Sequence, residues 1–145
     1  MGLDNYRDLI DDLATYVPIL REAVMASGEA PAGEWGAAEI VAHLAAAEEF
    51  FLERIMKLLG ERQPRLQSFA QAADERMSEL LNNSLDDNLE RFGELRGQAV
   101  SALMSMTLGD WERTGDHPTL GEVSITDTVE MMSDHDAEHL AQLRG

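Results

Sequence analysis

His135 and His139 lie four residues apart in the closing stretch of the chain. On a helix that spacing places both imidazoles on one face, about 6 Å apart along the axis. Two imidazoles so placed can converge on one cation, as in other helical His-x-x-x-His sites. Met132, Thr128 and Ile125 continue the same face backwards and Leu143 continues it forwards, so the pair borders an apolar stripe. His43 is the third candidate: it sits between Ile40 and Ala47 on the apolar face of another segment, where Ala42, Ala45, Ala46 and Ala47 allow a neighbouring helix to come close. Three imidazoles from two helices would leave coordination positions open for water or substrate, the arrangement of a catalytic site. Such a donor set suits zinc, nickel, iron or copper and excludes calcium and magnesium, which require oxygen ligands. The bland alternative is that these are core histidines satisfied by hydrogen bonds. His135 to His139 also matches a His-x-x-Glu-His peptidase pattern with Glu138 as base, but few residues follow in which a further acidic ligand could stand.

The chain has 145 residues, of which 44 % are hydrophobic, a size and composition suited to one domain with one core, residues 1–145. It contains no cysteine, so disulfides, thiolate ligands and a cysteine nucleophile are excluded, and any reactive thiol must come from outside the chain. The formal net charge of −17, with eleven scattered Lys and Arg, repels phosphate backbones and anionic lipid, which argues against nucleic-acid and membrane partners. No apolar run approaches the roughly 18–20 residues of a membrane span. The first residues lack the basic and apolar regions of a signal peptide, and the expectation is a cytoplasmic protein.

Helical periodicity positions these groups, and no strand is evident. A first helix is expected over about 3–26, with a stripe of Leu9, Leu13, Val17 or Tyr16, Leu20 and Val24. Pro18 inside it is a candidate kink, and the stretch 27–33, rich in small residues, ends it. The second helix spans about 36–59, stops at Gly60, and turns Ile40, His43, Leu44, Ala47, Phe51, Ile55 and Leu58 inward. A third helical region covers about 66–106, with a break near Asn82-Asn83-Ser84, where Ser84 and Asp87 make a cap for a fresh start. Residues 107–123 read as one long irregular loop, and Ser124 with Asp127 caps a last helix over 125–143. Four or five amphipathic helices in this length predict an all-α four-helix bundle.

Three stretches resemble the DinB-like (YfiT-type) superfamily of metal-binding bundles. Trp35 through Leu44 is similar to its Trp-then-His start of helix two, although Gly36 stands where Ser or Thr often caps that helix. Trp111 through Pro118, with Gly121, resembles its loop before the last helix. Asp134 through Leu143 resembles its closing His-x-x-x-His-Leu-x-Gln-Leu. The resemblance implies a bundle whose helices two and three run parallel, joined by a long crossover. It implies a divalent metal, nickel or zinc, held by His43, His135 and His139. It also implies thiol-dependent transferase or isomerase activity on a small-molecule substrate, with a thiol such as bacillithiol, mycothiol or glutathione, and a homodimer. Arg113 and Arg54 are the candidates to receive an anionic thiol cofactor; Glu48 and Glu138 are candidate proton shuttles that read more readily as solvated surface groups. His117, before Pro118, reads as a turn or cap, and the eight methionines, Met131 and Met132 included, read as packing. The alternatives to an enzyme are a non-catalytic metal- or ligand-binding bundle and a metal-free interaction module.

Overall fold

The structure is a computed structural model and describes residues 3–145. In chain order it contains α1 (Leu3–Ala26), α2 (Ala37–Gly60), α3 (Phe69–Leu80), α4 (Leu85–Met104), α5 (Leu108–Trp111), β1 (Thr114–His117), β2 (Gly121–Ser124) and α6 (Ile125–Arg144). The long helices α1, α2, α4 and α6 form the bundle, arranged around a square in the order α1, α4, α2, α6. α2 and α4 run parallel: Ile40 and Leu44 share an apolar cluster with Phe92, and further along Ile55 shares one with Leu103. Parallel neighbours need a long return, which the crossover 61–84 and its helix α3 provide. α6 and α1 are parallel as well, with Tyr6 near Ile125 and Val129, and Leu20 near Leu143.

The local signals act as their chemistry predicts. Ser124 and Asp127 form a complete capping box at the start of α6, each side chain satisfying the other residue's backbone N–H. Ser84 caps α4 by accepting from the Asp87 backbone N–H, so the third helical region is two helices. Gly36 offers α2 no side-chain cap. α1 runs unbroken through Pro18, because the carbonyl that loses its donor belongs to exposed Ala14 and faces water.

Residues 107–123 are not irregular. Thr107 and Asp110 form a second capping box that starts α5, and β1 and β2 pair antiparallel from Thr114↔Ser124 to His117↔Gly121. Composition hides these strands because tertiary contacts make them. Asp116 donates its N–H to the Pro64 carbonyl (2.7 Å) and accepts from the Leu66 N–H (2.8 Å), which fastens the hairpin to the crossover. A Cβ at Gly115 would stand 2.7 Å from the Pro64 oxygen and 2.9 Å from Leu66 Cγ, so only glycine allows this approach. At its other end, Trp111 is buried and stacks on Tyr6 with ring centroids 4.2 Å apart.

The four bundle helices meet at Arg96 of α4, which is 1 % exposed. Its Nε and Nη2 donate to Glu48 of α2 (2.7 and 3.0 Å), its Nη1 and Nη2 to Asp136 of α6 (2.8 and 2.9 Å), and Nη1 also to the Leu13 carbonyl of α1 (2.9 Å). All five N–H groups of the guanidinium are thereby used. Replacing Arg96 with Met should cost about 3–5 kcal/mol, because Glu48 and Asp136 would stay buried without their cation. Breaking the exposed pair Arg91–Glu49 (3.0 Å) should cost under about 1 kcal/mol. Urea unfolding of R96M and R91A, compared with the unaltered chain, measures both.

Candidate metal centre

His43 stands in the second turn of α2, and His135 and His139 occupy successive turns of α6. The antiparallel contact of the two helices brings the three rings together. His135 Nε2 lies 2.9 Å from His43 Nε2 and 3.1 Å from His139 Nε2. The three donor atoms all fall within 4.8 Å of one another. His135 Nε2 faces both of the other Nε2 atoms with a single in-plane position, one proton or one lone pair, so neutral imidazoles give it at most one well-aligned hydrogen bond for two close contacts. Nitrogens on a common ion at about 2.0–2.1 Å would lie roughly 3 Å apart, so the spacing suits one metal ion.

Neighbouring groups orient the rings. His139 Nδ1 lies 2.8 Å from Gln142 Oε1; as Nδ1–H donates to that oxygen, the lone pair of Nε2 turns toward the other two rings. His43 packs between Trp35 (centroids 5.3 Å apart) and Phe69 (6.2 Å), and its Nδ1 is buried without a partner among the described residues. Phe69 and Phe51 flank His135 at 5.3 and 6.1 Å. Burial in these aromatic walls, reinforced by the neighbouring His139, lowers the His43 pKa to about 4. Burial, then His139, His43 and Arg96, lower that of His135 to about 3. Both imidazoles are therefore neutral near pH 7, the protonation state a metal requires. Asp74 and Glu138, both exposed, pull His43 weakly in the opposite direction.

The other residues singled out from the sequence fall elsewhere. Glu48 is no solvated group or free shuttle: it is 1 % exposed and held by Arg96. Glu138 is exposed on the flank of the histidine face. Arg113 is committed to the end of α2, donating to the Leu58 carbonyl (2.8 Å) and the Glu61 carbonyl (3.3 Å). Arg54 is buried on α2, about three turns beyond His43. His117 closes the hairpin turn, its Nδ1 accepting from the Thr119 and Leu120 N–H groups at 3.1 Å. Gln142 entered the sequence reading only as part of the closing motif, with no role given to it, and Phe69 escaped it. Gln142 carried a signal, one turn after His139; Phe69, across the crossover, carried none. An open groove of about 1390 Å³ lies at one end of the bundle. Trp35 and Gln142 line it, whereas the three histidines do not.

A family model described as the DinB superfamily matches residues 6–143. None of the curated proteins matches in sequence. Among solved structures, the fold is similar to YfiT from Bacillus subtilis, described as a probable metal-dependent hydrolase with an unusual four-helix bundle topology. The TM-score is 0.83 at 20 % identity, over 99 % of this chain and 87 % of that one. It is also similar to a mycothiol-dependent maleylpyruvate isomerase, with a TM-score of 0.75 at 14 % identity, over 95 % of this chain and 60 % of that one. At these identities the likeness is one of fold.

The lowered pKa values set the pH response of the metal-free protein. Between pH 6.5 and about 4 the unfolded chain binds protons at His43 and His135 that the folded chain refuses. The histidine contribution to stability is therefore full above pH 6.5 and falls as pH drops toward the folded values, by up to about 1.4 kcal/mol per pH unit per histidine, offset in part below about pH 6 by Asp136, whose raised pKa acts in the opposite sense. Urea unfolding of chelator-treated protein from pH 7.5 to 4.5 should show this decline, and H43F should lose a share of it.

Proposed function

The chain belongs to the DinB superfamily, and on that footing we propose that it is a divalent-metal enzyme. His43, His135 and His139 hold one nickel or zinc ion, and a low-molecular-weight thiol serves the transfer or isomerisation of a small electrophilic substrate. The observation that carries this reading is the convergence of the three Nε2 atoms, at 2.9 and 3.1 Å along the cluster. Three protein ligands leave positions open, as catalytic rather than structural sites do. An ion bound there supplies Lewis acidity that lowers the pKa of a thiol beside it into the neutral range.

The remaining work belongs to the chain. Neutral His43 and His135 offer their lone pairs without first giving up a proton. Gln142 holds His139 in the ligating orientation. Phe51 and Phe69, with Trp35 at the solvent edge, supply apolar surface beside the rings against which a thiol's hydrocarbon can rest. Glu138 and Asp74, near the cluster and exposed, are placed to carry protons between it and bulk water. The chain has no cysteine, so the thiol arrives as a co-substrate. The mycothiol dependence of the isomerase with a similar fold supports a thiol. YfiT's description as a probable hydrolase gives the second reading, in which the same centre activates water.

Elemental mass spectrometry on tag-free protein purified without added metal should find close to one nickel or zinc ion per chain. His43→Ala and His139→Ala should lose the ion and thiol consumption with a generic electrophile together. Gln142→Ala should keep the fold and weaken metal affinity by about 10–100-fold. A chain that stays metal-free and refuses nickel and zinc on titration overturns the proposal. A metal-loaded chain inert toward thiols leaves a hydrolase, or a bundle that binds metal without turnover, and ester hydrolysis separates those two.

A further inference from the structure

Arg54 of α2 is 5 % exposed, yet its surroundings differ from those of Arg96. Its Nη2 donates to the Gln67 carbonyl (2.8 Å), and its Nη1 reaches only the thioether of Met131 (3.8 Å). The guanidinium stacks over the Phe50 ring, 4.6 Å from the centroid. Among the described residues no carboxylate pairs with it, although the chain holds 28 acidic groups against 11 basic ones. Buried charges are ordinarily paired, because an unpaired one forfeits its hydration without return. The nearest acidic side chain in sequence, Glu53, is drawn to Arg76 at 2.6 Å. Beside Arg54 lies a cavity of about 150 Å³, lined by Phe50, Glu53, Arg54, Lys57, Leu66 and Gln67.

We infer that this cavity is a binding site for a small carboxylate with a short apolar tail, received by the Arg54 guanidinium. Two of the five N–H groups are engaged, so a planar pair of donors remains for two carboxylate oxygens. Phe50 fixes the plane of the guanidinium, as a bidentate contact requires. Lys57 adds a second positive charge, and Glu53, although paired with Arg76, sets a carboxylate at the edge of the lining that repels a second negative charge, which favours a monoanion over a dianion such as phosphate. Phe50 and Leu66 meet the tail. The site lies apart from the three histidines and does not depend on a metal there.

The Arg54 Nε–Hε resonance reads the site directly in the full chain. Titration with butyrate at constant ionic strength should shift it saturably, to the same extent in metal-free and metal-loaded protein. Arg54→Met should abolish saturable butyrate binding, and Arg54→Lys, which keeps the charge but not the fork, should weaken it about tenfold or more. Lys57→Met should weaken it less. The inference is overturned if the wild-type resonance does not respond saturably to butyrate, if Arg54→Met binds butyrate as the wild type does, or if phosphate binds as tightly as butyrate. Because the readout is an arginine N–H and not turnover, failure of the metal reading leaves this result unchanged.

Discussion

The guanidinium of Arg96 is the contact on which the rest of the bundle depends. It stands where four helices face one another and satisfies an acceptor from each of the other three, Leu13, Glu48 and Asp136. Phe92 and Tyr16 cover it at 4.8 and 5.6 Å from their ring centroids. Burial alone would lower the pKa of Arg96, but the two carboxylates outweigh it and raise it. One cation cannot fully compensate two anions, and the surplus falls on Asp136, whose carboxyl burial pushes up to about 6 against the pull of Arg96. An apolar cluster of equal volume would hold the helices as firmly, but it would not fix their rotation. Ion pairs with this geometry do.

That rotation aims the histidines. Asp136 is adjacent to His135, so turning Asp136 toward Arg96 directs His135 and His139 at α2. Glu48 lies five residues beyond His43 and sets the facing of α2 in the same way. The ligand cluster and the central ion network are thus two faces of one constraint, joined through two helices and through the charge of Arg96, which also acts on His135. The two buried arginines divide the labour. Arg96 spends every donor on the fold, whereas Arg54, eleven residues along α2 from His43, keeps donors free.

Much of this arrangement was legible in the residues. The inward stripe of α2, the last helix with its Ser124–Asp127 cap, the break at Ser84 and the shared face of His135 and His139 all follow from spacing and local chemistry, whereas the family resemblance was what joined His43 to that pair. The misreadings share a cause. Glu48 looks like a surface acid because its partner lies 48 residues away, and Arg113 looks free because its acceptors are the terminal carbonyls of a distant helix. The hairpin's four-residue strands TGDH and GEVS have little intrinsic preference for extension; the Pro64 and Leu66 backbone extends them. Sequence periodicity reports which face of an element is apolar. It is silent on which polar group across the bundle meets it.

All three candidate ligands come from only two helices, and two of them are locked a turn apart on one of these. The spacing within α6 is fixed by the helix itself, so the separation of α2 from α6 is the single free dimension of the cluster. An ion with longer or shorter bonds would therefore register as a parting or closing of that helix pair. The bundle would act as a caliper, and its resistance to that motion, set by the apolar cluster that Ala47 shares with Val129 and Met132, would be a source of metal discrimination that no ligand supplies.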